Sequence, residues 1–311
     1  MPRHFDRETL AHALQYHADL QRSDGTPTEE VDDNSGNGVS VCTLARDVQL
    51  DCQVATICFR RTPSRLEKPE GKDRQVAIEV HITSADQPND ASTVRLAIDD
   101  HFSGITVLFS PTTVEHEIDV LALSGLGSHP FGSFVHKADG HMWLSDSLPG
   151  DMPTARVMIY GYESGLWNSA STANIGDLAG PIQIALSSLL RSEDNTPLIL
   201  IGHSLGGLLI QEALIRITDP ELLKALLGVL FFGVPNDGMA IESLIPVVND
   251  QPNRFLLESL STMNSQVLEL LGQNFSEFQE RTNLELFCFY ETQLSPTAAM
   301  VRVVSSAGTF H

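Results

Sequence analysis

The stretch 197–210, Pro-Leu-Ile-Leu-Ile-Gly-His-Ser-Leu-Gly-Gly-Leu-Leu-Ile, constrains the fold more than any other part of the chain. It predicts a short buried strand over 198–201, a sharp turn, and an apolar helix that begins at Leu205. The turn, Gly202-His203-Ser204-Leu205-Gly206, matches G-x-S-x-G. A serine at the tip of a strand-to-helix turn is held in a strained backbone conformation. Side chains two residues before and two after it would strike the neighbouring strand and helix, so glycine is needed at both positions. The helix that follows aims its first N–H groups at the serine, where negative charge develops during acyl transfer. Glycine and serine are common, so the bare pattern says little. Here strand, turn and helix stand in the required order, with a further glycine at Gly207. The plain alternative is a glycine-rich turn with an incidental serine, and the flanking strand and helix weigh against it.

The same rhythm extends on both sides. A strand at 118–123 runs into the Gly-rich loop 124–130, followed by a helical stretch near 142–148, a strand at 155–160 and a loop over 161–171. A helix at 175–190 precedes the serine strand, and a helix at 205–217 follows it. Then come a strand at 228–233, a helical region over roughly 240–281, and strands at 284–290 and 300–304. Alternating β and α with near-continuous apolar strands predicts an α/β fold, a mostly parallel central sheet covered by helices on both faces. Ligands bind such sheets at the carboxyl ends of the strands, where Ser204 and the loops after 123 and 233 fall.

Upstream the pattern differs. Residues 5–20 have partial helical periodicity, and 22–40 carry almost nothing to bury, with acid concentrated in Glu29-Glu30-Val31-Asp32-Asp33. Residues 1–40 are therefore read as a helix and a flexible acidic linker. From 41 to 111 short strand-like runs at 48–60, 76–82, 94–98 and 105–109, separated by polar loops such as 62–73 and 84–92, read as a small β-rich leader. The α/β domain is placed at 112–311. His81 and His101 read as structural or surface histidines.

Composition narrows the functions. With 40 acidic and 19 basic residues the net charge is −21, which argues against nucleic acid and against docking on anionic membranes. No apolar run reaches about 18 residues, so no transmembrane segment is expected, and the longest, around 225–234, fits a buried strand. The N-terminus lacks an apolar signal core, and the four cysteines show neither finger nor C-x-x-C spacing. Both features fit a cytoplasmic protein with reduced, partly buried thiols. There is no metal signature and no dinucleotide fingerprint, so no cofactor is implied.

Several ordered blocks extend the comparison beyond the serine turn: 124–134, Met142-Trp143-Leu144, Ile159-Tyr160-Gly161-Tyr162, 202–207, 231–239, Tyr290-Glu291-Thr292 and Ser295-Pro296-Thr297. Over roughly 100–304 the chain resembles the α/β-hydrolase superfamily, and within it the serine-esterase, lipase-like group of serine-active-site-containing proteins. That group is often found in fungi ahead of ankyrin, tetratricopeptide or NACHT modules. The resemblance implies a serine ester hydrolase acting on a small acyl ester or a lipid, with Ser204 as nucleophile forming an acyl-enzyme. The oxyanion hole would use the backbone N–H groups of Leu205 and Leu126. Many relatives begin the second of these loops with histidine, where this chain has Ser124. The donors are backbone groups, so the hole survives that change.

The base is the weak point. The superfamily order is nucleophile, acid, histidine, and of 11 histidines only His311 follows Ser204. Two readings stand: His311 swings back to Ser204, or the catalytic histidine was lost with a truncated C-terminus. His203 adjoins the serine, but neighbouring positions in the turn point apart, so it is read as structural. For the acid, Glu291 follows the penultimate strand, where the residue that orients the histidine usually stands. A solvated strand-end carboxylate is its plain alternative. Asp237, in Pro-Asn-Asp-Gly, is the second candidate and reads better as a turn residue. The 240–281 region occupies the place of a lid-like insert, and most of its apolar residues read as ordinary helix packing. Two other functions compete with an esterase. One is a catalytically impaired hydrolase module serving interaction or signalling; the other is a deacylase of lipids or glycolipid anchors.

Overall fold

The computed structural model describes residues 6–15, 39–48, 52–59, 75–84, 87–100, 102–112, 114–167, 169–191, 196–262, 265–282 and 284–290, with positions 66 and 292. The chain forms two compact units, one from Met1–Phe102 with Val107–Ser110, the other from Ser103–Thr106 with Pro111–Phe310.

In the first unit, helix α1 (Arg7–Gln15) is followed by two antiparallel pairs: β1 (Val39–Arg46) with β2 (Gln53–Phe59), and β3 (Val76–Ser84) with β4 (Gln87–Ile98). Leu10 and Leu14 share one core with Val41, Ile78, Val80 and Val94, so helix and strands pack together. Two elements differ from the sequence reading. Strand β1 falls wholly outside the runs expected there, because its inward positions are Val41, Thr43 and Ala45 and the threonine breaks the apolar alternation. Thr43 is fully buried at no cost in unmet polarity, since its hydroxyl lies 2.7 Å from that of Thr56 and accepts the Thr56 N–H at 3.2 Å. Strand β4 also begins inside the expected loop 84–92, pairing Gln87 with Ser84. The ladder is made by backbone groups, so a ribbon can continue through polar residues that read as loop.

A six-stranded sheet runs in the order β10–β9–β8–β6–β7–β5, and its strands β6 to β10 lie wholly in the second unit. Its strands are β5 (Gly104–Phe109), β6 (Ile118–Leu123), β7 (Ala155–Gly161), β8 (Leu198–His203), β9 (Leu226–Phe232) and β10 (Glu285–Phe289). The pairs β10–β9, β9–β8, β8–β6 and β6–β7 are all parallel. Strands β6 and β8 are nearly free of solvent because helices cover the sheet, which is why they read as unbroken apolar runs. This is the mostly parallel, helix-flanked α/β sheet expected from the sequence. The chain leaves β6 toward β7 on one side and returns to β8 on the other. Strand order reverses between β6 and β8, and it is at such a reversal, at the carboxyl ends of the strands, that open α/β sheets bind ligands.

Short helices α2 (Trp143–Asp146) and α3 (Leu148–Asp151) lead from the first loop to β7. Helix α4 (Ile175–Leu190) starts at a capping box in which Asn174 and Asp177 each accept the other's backbone N–H. Helix α5 (Leu205–Ile215) is buried almost throughout, and α6 (Pro220–Leu223) is a single turn before β9. The region expected to be helical over 240–281 resolves into α7 (Ile245–Val248), α8 (Arg254–Ser259) and α9 (Ser265–Thr282). Asn249, at φ 45°, ends α7. Of the three, α9 packs on the sheet, with Phe275 against Phe231 at 5.9 Å between ring centres. The earlier part does something else: Ile241, Val248 and Leu257 form a small core with Leu126, Leu166, Met239, Leu244 and Ile245. The expected strand at 300–304 lies outside the described residues, as does most of the 22–40 linker.

Candidate active site

Ser204 stands between β8 and α5 with φ 52° and ψ −126°. Positive φ is costly for any residue with a Cβ, by roughly 1–3 kcal/mol, and persists only where the surroundings enforce it. The enforcement is visible here. The Ser204 N–H donates to the Phe232 carbonyl on β9 at 2.9 Å, and the Ser204 carbonyl accepts from Gly207 at 3.0 Å. A Cβ on Gly206 would stand 2.5 Å from the Ser124 carbonyl oxygen, and one on Gly202 would stand 2.6 Å from the Gly207 Cα. No side chain fits either place, so the spacing read from the sequence has a direct steric cause. Ser204 itself is half-buried.

The Gly-rich loop after β6 lies directly beside the serine. A Cβ on Gly125 would meet Ser204 Cβ at 2.8 Å, His203 Nδ1 at 3.1 Å and Ser204 Oγ at 3.3 Å. The next residue is Leu126, whose side chain joins the small apolar core of the insert and whose N–H makes no hydrogen bond among the described residues. Leu205 is the first residue of α5, where N–H groups have no partner within the helix. Of the two backbone groups expected to form an oxyanion hole, Leu205 adjoins the serine in sequence, and Leu126 follows the Gly125 that lies against it in space.

What holds the loop in place was not read from the sequence. The Tyr162 hydroxyl donates to the Ser124 carbonyl at 2.7 Å, and the Ser164 hydroxyl donates to the Ser128 carbonyl at 2.9 Å. Gly127 N–H donates to the Ser164 carbonyl at 2.7 Å. Burial pushes the Tyr162 phenol well above its usual range, so it stays a donor. The loop after β7 is tied in turn to the insert. Asn253 donates to the carbonyls of Gly165 and Leu166 at 2.9 and 3.0 Å, and Ser169 N–H donates to Gln251 Oε1 at 2.9 Å. Three loops from three strands are thereby joined around Ser204.

The remaining site residues are placed as follows. Asp237 is exposed in a turn closed by Gly238 N–H on the Pro235 carbonyl at 3.0 Å. His203 is half-buried at the end of β8. Glu291 and His311 lie outside the described residues. Among the described residues no cluster of three or more His, Cys, Asp or Glu could hold a metal ion, and no helix is long and apolar enough to cross a membrane.

The parallel, helix-flanked sheet and the strained serine turn between β8 and α5 define an α/β-hydrolase-like fold. No family model matches the chain. Over 173 residues it is 27% identical to Protein SERAC1 of Mus musculus, a match covering 52% of this chain and 26% of that protein. Identity to Protein SERAC1 of Homo sapiens is 25% over 173 residues, with the same coverage. The match therefore spans about a quarter of the length of these curated relatives. Among solved structures, Bacillus licheniformis lipase BlEst2 in its propeptide form is 12% identical, with a TM-score of 0.45 over 62% of this chain and 40% of that one. Brefeldin A esterase, a bacterial homologue of human hormone sensitive lipase, is 14% identical, with a TM-score of 0.35 over 78% and 75%.

Proposed function

We propose that this chain is a serine ester hydrolase that works through an acyl-enzyme on Ser204. The observation that carries the reading is the backbone of Ser204, strained at φ 52° between a buried strand and a buried helix, with the Gly125–Leu126 loop against it. Strain of this kind is kept where it aims a reactive group. Ser204 Oγ attacks the ester carbonyl carbon. The tetrahedral oxyanion takes hydrogen bonds from the N–H groups of Leu205 and Leu126, donors fixed before the reaction and therefore free of reorganisation cost. Collapse expels the alcohol, and water then releases the acid. Glu291 and His311 are the proposed acid and base, in the order nucleophile, acid, histidine. The substrate is an uncharged acyl ester or lipid. The small apolar core that includes Leu126 and Leu166 offers its acyl chain a non-polar surface.

A second reading is favoured by one observation: among the described residues no histidine follows Ser204. On that reading the chain is a hydrolase module without its base, used for interaction. The experiment is hydrolysis of p-nitrophenyl esters of short and long acyl chains by wild type, Ser204→Ala and His311→Ala, with fluorophosphonate labelling alongside. An active triad requires Ser204→Ala to lose roughly 10⁴-fold or more in turnover and His311→Ala a comparable amount. Wild type no faster than Ser204→Ala, and unlabelled, would overturn the esterase reading in favour of the second.

A further inference from the structure

In the N-terminal unit, far from the serine in sequence, two nucleophilic side chains meet. Cys42 on β1 and Cys58 on β2 place their sulfurs 3.0 Å apart, closer than two sulfur atoms in ordinary contact. Sixteen positions separate them, so no local motif announces the pair. The strand register creates it. Val41 stands opposite Ile57 and Thr43 opposite Thr56, which leaves Cys42 as the extra residue of a β-bulge. A bulge takes one residue out of the ladder and re-aims its side chain, here onto Cys58. Cys58 is exposed and Cys42 half-buried, so a small reagent in solution reaches the pair. The Cys42 thiol hydrogen-bonds Cys58 and, against the opposing effect of burial, brings the Cys58 thiol down to about 7. At neutral pH a large share of Cys58 is then thiolate, the form that attacks disulfides.

We propose that Cys42 and Cys58 form a thiol–disulfide exchange site, converted by a small-molecule disulfide of the glutathione type into an intramolecular bridge between β1 and β2. The Cys58 thiolate attacks one sulfur of glutathione disulfide, breaks the S–S bond and expels one glutathione thiolate. Cys42, losing its proton to solvent, attacks Cys58 Sγ and expels the second glutathione. Two protein thiols are oxidised and one glutathione disulfide is reduced to two thiols. The sulfurs need approach by only about 1 Å to reach bonding distance. The bridge ties a two-stranded ribbon, which alone is a marginal structure.

The test uses the full chain in glutathione buffers of graded redox ratio, quenched with acid and mapped by mass spectrometry without reduction. The expected product is a Cys42–Cys58 linked peptide, lighter by two hydrogens and reversed by dithiothreitol. It should form at a more reducing ratio than that at which exposed Cys288 takes up glutathione. In Cys42→Ala, which removes the hydrogen-bond donor, Cys58 should end as a mixed disulfide with glutathione. Its alkylation by iodoacetamide at pH 7 should slow roughly five-fold, because the thiolate fraction falls about fifty-fold while intrinsic nucleophilicity rises about ten-fold. Cys58 left unlinked, or linked to any other cysteine, at a ratio that modifies Cys288 would overturn the proposal. The wild-type map decides this even if a variant fails to fold.

Discussion

The two ends of one sheet treat buried polarity in opposite ways. At the amino end Asp119, the second residue of β6, is 1% exposed and fully engaged. Arg156 donates to its two oxygens at 2.7 and 2.6 Å, and the His116 ring lies 2.9 Å from one of them. At the carboxyl end of the same strands Ser204 is strained, while Ser124 Oγ and Asn253 Oδ1 are buried without a partner among the described residues. Asp119 and Ser124 are each 1% exposed, so burial does not explain why one is paired and the other is not. Satisfied, paired groups lock a structure; strained and unsatisfied ones persist where the rest of the fold overrules them, which is the habit of reactive sites.

Breaking the satisfied end should have the largest effect. Arg156→Met leaves a buried carboxylate with only the His116 ring, and a loss of roughly 3 kcal/mol is expected in urea unfolding. Replacing both partners, Asp119→Leu with Arg156→Met, should recover most of it, and a double variant as unstable as the single would contradict the pairing account. Next comes Gly206→Ala, expected to cost about 1–3 kcal/mol because the new methyl meets a carbonyl oxygen that cannot move. A neutral result would mean that the turn relaxes freely. Tyr162→Phe should cost about 1 kcal/mol by melting. It should also lower kcat with KM little changed, if the loop it holds supplies an oxyanion donor. The smallest effect is expected from Ser124→Ala: with no partner to lose, the change should fall within about 1 kcal/mol of neutral or be stabilising. A clear destabilisation would show that the hydroxyl is bonded after all, and the contrast between the two ends would narrow.

The parts of this architecture visible in the sequence are those written in local pattern. β6 at Ile118–Leu123 and α4 at Ile175–Leu190 match the expected bounds, because an apolar run between turn signals and a capped amphipathic stretch are local facts. The serine turn was legible for the same reason, glycine being required two places either side of Ser204. β1 was hidden by Thr43, whose burial depends on Thr56 in another strand. The 240–281 region showed helical spacing, but its division at Asn249 follows from backbone conformation and tertiary contact. The roles of Tyr162 and Ser164 were invisible for a related reason: each hydroxyl bonds a carbonyl more than thirty residues away, and any carbonyl would look alike in the sequence.

The stapling of the loop after β7 to both of its neighbours bears on how this protein could be re-engineered or could drift. Tyr162 and Ser164 grip the loop beside the serine, while Gly165, Leu166 and Ser169 are gripped by Asn253 and Gln251 of the insert. A substitution in the insert that reshapes the apolar surface is transmitted through this linkage to the Leu126 loop. If the chain is the ester hydrolase proposed above, ligand preference and rate would be geared together through these bonds, and cutting one at Asn253 or Gln251 would uncouple them.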